Sequence, residues 1–233
     1  FRLFNKEHFA PFILNLEVFM KVIDLTQAIS PEMPVYPGTE TPDFVDANTY
    51  DRDGFKETKI SFYTHTGTHV DPPVHLFPNR TALDEFPISQ FIGRALVIDC
   101  TMLQEGEYIT KEQLLPYANQ VEQADFLLFH LGWDKYWGSS KYFEEYPCID
   151  EEVLSFIMNS SLKGIGFDTI GLDPVSDLNL TRHRALFAKK DILNIENLKN
   201  LHLCGSELFW FSCFPLKIEN ADGSPVRAVA WFI

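Results

Sequence analysis

The chain has 233 residues, 45% of them hydrophobic, and a formal net charge of −14 from 19 basic and 33 acidic side chains. That length fills one sizeable core, and no linker interrupts it, so one domain is expected. The acidic balance argues against a nucleic-acid binder, whose phosphates demand Lys and Arg, and against a partner of anionic membrane; no apolar run is long enough to span a bilayer.

Residues 1–19 read as an N-terminal extension not native to the domain, which then runs over 20–233 from a natural start at Met20. The mildly apolar run from Phe9 to Leu16 is interrupted by Asn15 and lacks an Ala-x-Ala cleavage site, so it does not read as a signal peptide. Val22–Leu25 opens the ordered pattern as a strand. Ser30–Gly38 holds three prolines and a glycine, which deny it ladder donors and helical dihedrals; it reads as a stiff loop that presents Tyr36. Lys59–Tyr63, Ala95–Cys100, Phe126–His130, Gly164–Phe167, Leu208–Phe211 and Val226–Phe232 are short apolar runs between turn signals and read as strands. Helices are expected over Lys111–Gln120 with Thr110 as N-cap and a kink at Pro116, over Glu151–Asn159 capped by Asp150, and over Thr181–Lys189. Strands outnumber helices without strict alternation, which favours a mixed α/β or α+β domain over a doubly wound fold. Cys100, Cys148, Cys204 and Cys213 show no CxxC spacing and read as reduced packing residues of a cytoplasmic protein.

The chemistry concentrates in His65-Thr66-Gly67-Thr68-His69-Val70-Asp71-Pro72-Pro73-Val74-His75. The chain has seven histidines, so a window of this length holds about a third of one by chance; this one holds three, and an aspartate. Imidazole with carboxylate suits Zn²⁺ or Mn²⁺ better than Mg²⁺ or Ca²⁺. Positions 65, 69, 71 and 75 share one face of an extended chain, but residues two apart on a straight strand are about 6.8 Å apart, too far for a common ion. The backbone must bend, and Gly67 and Pro72-Pro73 supply the means. No Gly-x-Ser-x-Gly elbow, Walker loop or dinucleotide fingerprint competes.

The tract His-x-Gly-Thr-His-x-Asp-x-Pro-x-His resembles the signature of the cyclase-like metal-dependent hydrolases, a family that includes bacterial kynurenine formamidases and isatin hydrolases. The resemblance runs from about Val22 to the C-terminus, through Met33–Gly38, Gly132-Trp133, Gly166-Phe167-Asp168, His183 to Leu198, and Ala221–Ala228. It implies a single mixed α/β domain of the swivelling β/β/α type, in homodimers or homotetramers. It implies His65, His69 and Asp71 as metal ligands and His75 as proton donor and acceptor. It also implies a second metal position at His183 and Glu196, so one or two ions per subunit. By residue type alone, His183 is an exposed helix histidine and Glu196 a surface glutamate. Tyr36 stands where the formamidases carry a Trp that stacks on substrate, the His183 to Glu196 interval is slightly longer, and Asp168–Asp173 lacks the usual Pro and Ser after its Thr.

The function expected is arylformamidase-like hydrolysis of an amide C–N bond, N-formylkynurenine to kynurenine and formate, as in tryptophan catabolism. Two alternatives stand beside it: hydrolysis of a cyclic amide or lactone, and a catalytically silent metal-binding assembly protein. Intact His75 argues against the last.

Overall fold

The computed structural model describes residues 20–232; the expected extension at 1–19 lies outside them. The strands in chain order are β1 (Lys21–Asp24), β2 (Asp43–Asn48), β3 (Glu57–Ser61), β4 (His69–Asp71), β5 (Ile92–Asp99), β6 (Tyr108–Ile109), β7 (Phe126–His130), β8 (Cys148–Ile149), β9 (Gly164–Phe167), β10 (Leu193–Glu196), β11 (Phe209–Pro215) and β12 (Ser224–Phe232). The helices are α1 (Tyr50–Asp53), α2 (Lys111–Leu114), α3 (Ala118–Val121), α4 (Glu151–Asn159) and α5 (Thr181–Lys189). The helix expected over Lys111–Gln120 is divided: a 3₁₀ turn at Leu115–Tyr117 separates α2 from α3. Pro116 is the cause, since it offers no amide hydrogen and its ring crowds the preceding turn.

The main sheet has eight strands in the order β1-β12-β11-β5-β7-β9-β10-β4, and β4 also pairs with β12. Without β1, the other strands therefore close into a ring, and β1 lies along the remaining edge of β12. The run β5-β7-β9-β10 is parallel, whereas β11, β12 and β4 pair antiparallel with their neighbours. This is the mixed α/β architecture expected from the resemblance.

The period of two along each strand sorts side chains between two cores. Phe126 and Leu128 of β7 join Val70, Ile195, Phe211 and Ala228 inside the ring. Leu127 and Phe129 face outward and pack with Val153 and Ile157 of α4 and Leu186 and Phe187 of α5. Each fully buried side chain of this size contributes about 1.5–3 kcal/mol. The Asp150 side chain caps α4 by accepting from the Val153 amide at 2.7 Å. All four cysteines are free and buried. Among the described residues, no helix is long and apolar enough to cross a membrane.

Candidate metal centre

The histidine tract lies at the seam that closes the ring. β4 has three residues; Val70 points into the ring, and His69 and Asp71 therefore point outward together. In the antiparallel pairing with β10, His69 stands opposite Glu196 and Asp71 opposite Asn194. Four polar, buried side chains thus form one patch across two strands. His65 and His75 reach it by turns at either end of β4. Gly67 has φ +63, a left-handed conformation that a Cβ disfavours, and Pro73–His75 forms a 3₁₀ turn behind Pro72. The bend expected from the spacing is present at both positions.

The tract is pinned by Asn197, whose side-chain amide donates to Gly67 O at 2.9 Å while its backbone carbonyl accepts from Thr68 Oγ1 at 2.6 Å. His183 enters from the first turn of α5 and is buried, as is Glu196, so neither is the surface residue that its type alone suggests. Burial follows from capping: Asp173 accepts from the backbone amides of Arg182 at 2.7 Å and His183 at 3.1 Å, satisfying helix N-terminal donors that Leu180 cannot serve.

The donor atoms converge. His65 Nδ1 is 2.6 Å and His69 Nε2 3.2 Å from Asp71 Oδ1. His183 Nε2 lies 3.6 Å from Asp71 Oδ2 and 3.2 Å from Glu196 Oε1. The Asp71 carboxylate therefore divides its oxygens between two groups, His65–His69–Asp71 and Asp71–His183–Glu196, each with donor atoms close enough to share one ion. His75 stands over both, its ring 4.0 Å from that of His65 and 6.3 Å from that of His183.

Each inner nitrogen is aimed by what the outer one touches. His69 Nδ1 donates to Gly67 O at 2.9 Å, and His183 Nδ1 donates to Asp173 Oδ2 at 2.7 Å, which leaves the Nε2 lone pair of each facing inward. His65 Nε2 faces Asp222 Oδ2 at 3.4 Å, an ion-pair separation without a formed hydrogen bond. A close approach at Gly223 packs the backbone of that turn against the His65 ring.

The electrostatics fit a cation. Burial opposes charge on the imidazoles, yet Asp71 and Asp222 overcome it at His65 and raise it to about 10. His69 is raised against burial by Asp71, and His183 against burial by its hydrogen bond with Asp173. Burial likewise opposes charge on Asp71, but His69 and His65 hold it well below the usual carboxylate range. Without an ion, protons on these imidazoles offset a cluster of carboxylates; a divalent cation does the same and uses the nitrogen lone pairs. His75 differs: burial lowers it to about 4, only partly countered by Asp71, so it is neutral at ordinary pH.

A cavity of about 530 Å³ opens above the cluster. Tyr36, Tyr63, Ile170, Leu178 and Leu180 give it an apolar wall, and the half-buried Tyr36 lines it as the stiff loop suggested. All the residues singled out from the sequence, His65, His69, Asp71, His75, His183, Glu196 and Tyr36, meet here. Three residues at the cluster were not singled out: Asp173, Asn194 and Asp222. Only Asn194 had a readable signal, because Leu193-Asn194-Ile195-Glu196 alternates apolar and polar and so puts Asn194 on the face of Glu196.

Comparison with known proteins places the chain in one family. Residues 23–174 match the model of the Cyclase family, described as putative cyclase. The chain is 33% identical over 215 residues to an uncharacterized protein of Methanocaldococcus jannaschii, covering 91% of this chain and 99% of that one. It is 28% identical over 208 residues to the kynurenine formamidase of Bacillus cereus, covering 89% and 95% respectively. Isatin hydrolase A from Labrenzia aggregata superposes with a TM-score of 0.80 at 25% identity, over 91% of this chain and 93% of that one.

Proposed function

We propose that this chain, which belongs to the cyclase family, is a metal-dependent hydrolase of non-peptide carbon–nitrogen bonds acting on an N-formyl aryl amide, as the kynurenine formamidase relatives do by name. The observation that carries the reading is the convergence of five metal-type donors with a neutral His75 on the floor of an apolar cavity.

His65, His69 and Asp71 would hold one ion, and Asp71, His183 and Glu196 a second. A bound Zn²⁺ or Mn²⁺ supplies a lowered pKa for water, from 15.7 towards about 7, and polarisation of a carbonyl oxygen. The chain's own residues do the rest. His75, neutral and facing the cavity, takes the proton that the attacking water gives up. It then returns that proton to the leaving nitrogen, so that water is added across the C–N bond to give an amine and a carboxylic acid, which ionises by losing its remaining proton to solvent. Tyr36 and the apolar wall orient an aromatic ring and keep bulk water away. A volume of about 530 Å³ suits a substrate of one or two rings. A cyclic amide of similar size is the second reading, favoured by the likeness to isatin hydrolase A.

The proposed partner is a second copy of this chain, in a homodimer or homotetramer, and the proposed compartment is the cytoplasm. β2 and β3 form a separate two-stranded hairpin with Phe44 paired to Ile60, and both side chains are exposed. A lone hairpin is marginal in water, and a second copy would cover this face.

Metal analysis followed by an absorbance assay with N-formylkynurenine and isatin tests the function. Turnover lost on chelation and restored by Zn²⁺ or Mn²⁺ is expected. Full metal occupancy with no turnover on a panel of amides and lactones would refute it in favour of a silent binding protein.

A further inference from the structure

Asn194 is fully buried, and its amide sits where the second group of donors converges. Nδ2 lies 3.2 Å from Asp71 Oδ2, 3.0 Å from His183 Nε2 and 2.7 Å from Glu196 Oε1. These are the same three side chains that could share an ion. Ligands about 2.1 Å from one ion are about 3.0 Å apart in an octahedral site and about 3.4 Å apart in a tetrahedral one, so the terminal atom of Asn194 has the separations of a fourth ligand, closest to those of an octahedral site. The other terminal atom, Oδ1, is buried with no hydrogen-bond partner. Rotation of the amide by half a turn exchanges the two atoms without moving the rest of the side chain. It brings the oxygen to the three donors, where a cation accepts it and would repel the amide hydrogens.

We propose that Asn194 is a protein ligand, through Oδ1, of the ion held by Asp71, His183 and Glu196. The proposal rests on the reading of this cluster as a two-ion centre and adds a neutral oxygen to its second position. Register explains why it falls there: Asn194 is the cross-strand partner of Asp71, as Glu196 is of His69.

Equilibrium dialysis against Mn²⁺, with bound metal counted per chain, tests it on the wild type, Asn194→Leu and Asn194→Asp. The wild type should bind two ions. Asn194→Leu, which keeps the volume and removes the oxygen, should keep the first ion and bind the second at least tenfold more weakly. Asn194→Asp should bind the second at least as tightly as the wild type. A wild type that binds no Mn²⁺ or Zn²⁺ defeats the metal reading itself. A wild type that binds two while Asn194→Leu retains both at wild-type affinity defeats only the role of Asn194. A single ion in the wild type also overturns it, because the second position then holds no ion for Asn194 to ligate. Should Asn194→Leu lose its circular-dichroism signature, Asn194→Asp decides: weaker second binding than in the wild type overturns the proposal.

Discussion

Gly223→Ala should weaken the metal centre without replacing a ligand. A Cβ built at Gly223 falls 2.7 Å from His65 Cε1 and 2.8 Å from Nε2. Carbon atoms rest at about 3.5 Å or more, so the ring must retreat by about 0.8 Å. The ring is rigid, and Nδ1, itself 3.0 Å from that Cβ, carries the 2.6 Å contact to Asp71 Oδ1. Metal–ligand bonds tolerate about 0.2 Å. A displacement several times larger should lower metal affinity by about 10–100-fold, or roughly 1.4–2.7 kcal/mol. For a chain of this size, the rise in Tm on adding metal should shrink by about 3–10 °C. Gly223 does not have the positive φ that would strain an alanine, so the contact alone is tested. The assay is competition for Zn²⁺ with a chromophoric chelator, in the wild-type and His65→Ala backgrounds. In His65→Ala, the same substitution should cost nothing further, because no ring is left to displace. Wild-type affinity in Gly223→Ala, or an equal loss in both backgrounds, would refute the steric coupling.

Other outcomes follow from the same geometry. His75→Ala should keep its metal content and lose about 10²–10⁴-fold in kcat, which metal analysis and steady-state kinetics together would check. Asp173→Asn removes the carboxylate that accepts from His183 Nδ1 at 2.7 Å, and should cost about 10–100-fold in affinity for the second ion on dialysis while leaving the first. After chelation, His65 contributes stability that is fully present below its unfolded pKa near 6.5 and is lost as pH rises through about 10, so the Tm of chelated protein should fall across that window and that of loaded protein should not. Phe44→Glu with Ile60→Glu should convert a dimer or tetramer into monomers by light scattering, with the Tm of the ring little changed; an unaltered mass would place any interface elsewhere.

Much of the fold was readable where a segment carries its own pattern. Phe126–His130 and Gly164–Phe167 are buried strands with the bounds their apolar runs suggested, and Glu151–Asn159 is a helix because Asp150 caps it and Val153 and Ile157 share a face. Elements that owe their form to a distant partner were not readable. β2 contains two aspartates and an asparagine and is extended because β3 pairs with it. β10 alternates over only four residues, which puts Asn194 beside Glu196 but names no partner strand; it is held between β9 and β4. The metal tract itself was legible in composition and in its need to bend. Its placement was not, since the closure of β4 onto both β10 and β12 is long-range pairing. Asp173 and Asp222 were hidden for a related reason: each acts on a histidine remote in sequence through a contact that only the folded ring creates.

The position of the site on that seam gives the cluster a structural role as well as a chemical one. β4 spans three residues between two partner strands, too few ladder bonds to hold a ring closed by themselves. The side chains on its outer face add what the backbone lacks. His69 and Asp71 reach across to Glu196 and Asn194 on β10, and His65 reaches the turn at Asp222-Gly223 that leads into β12. A cation shared among these groups ties both edges of β4 at once, and α5 with them through His183. The carboxylates that would hold it repel one another when neither proton nor metal is present, so the same residues that close the ring would loosen it when empty. Metal affinity and closure of the ring are therefore expected to change together under mutation of β4, β10 or the turn before β12, whereas substitutions in the outer core around α4 should alter stability alone.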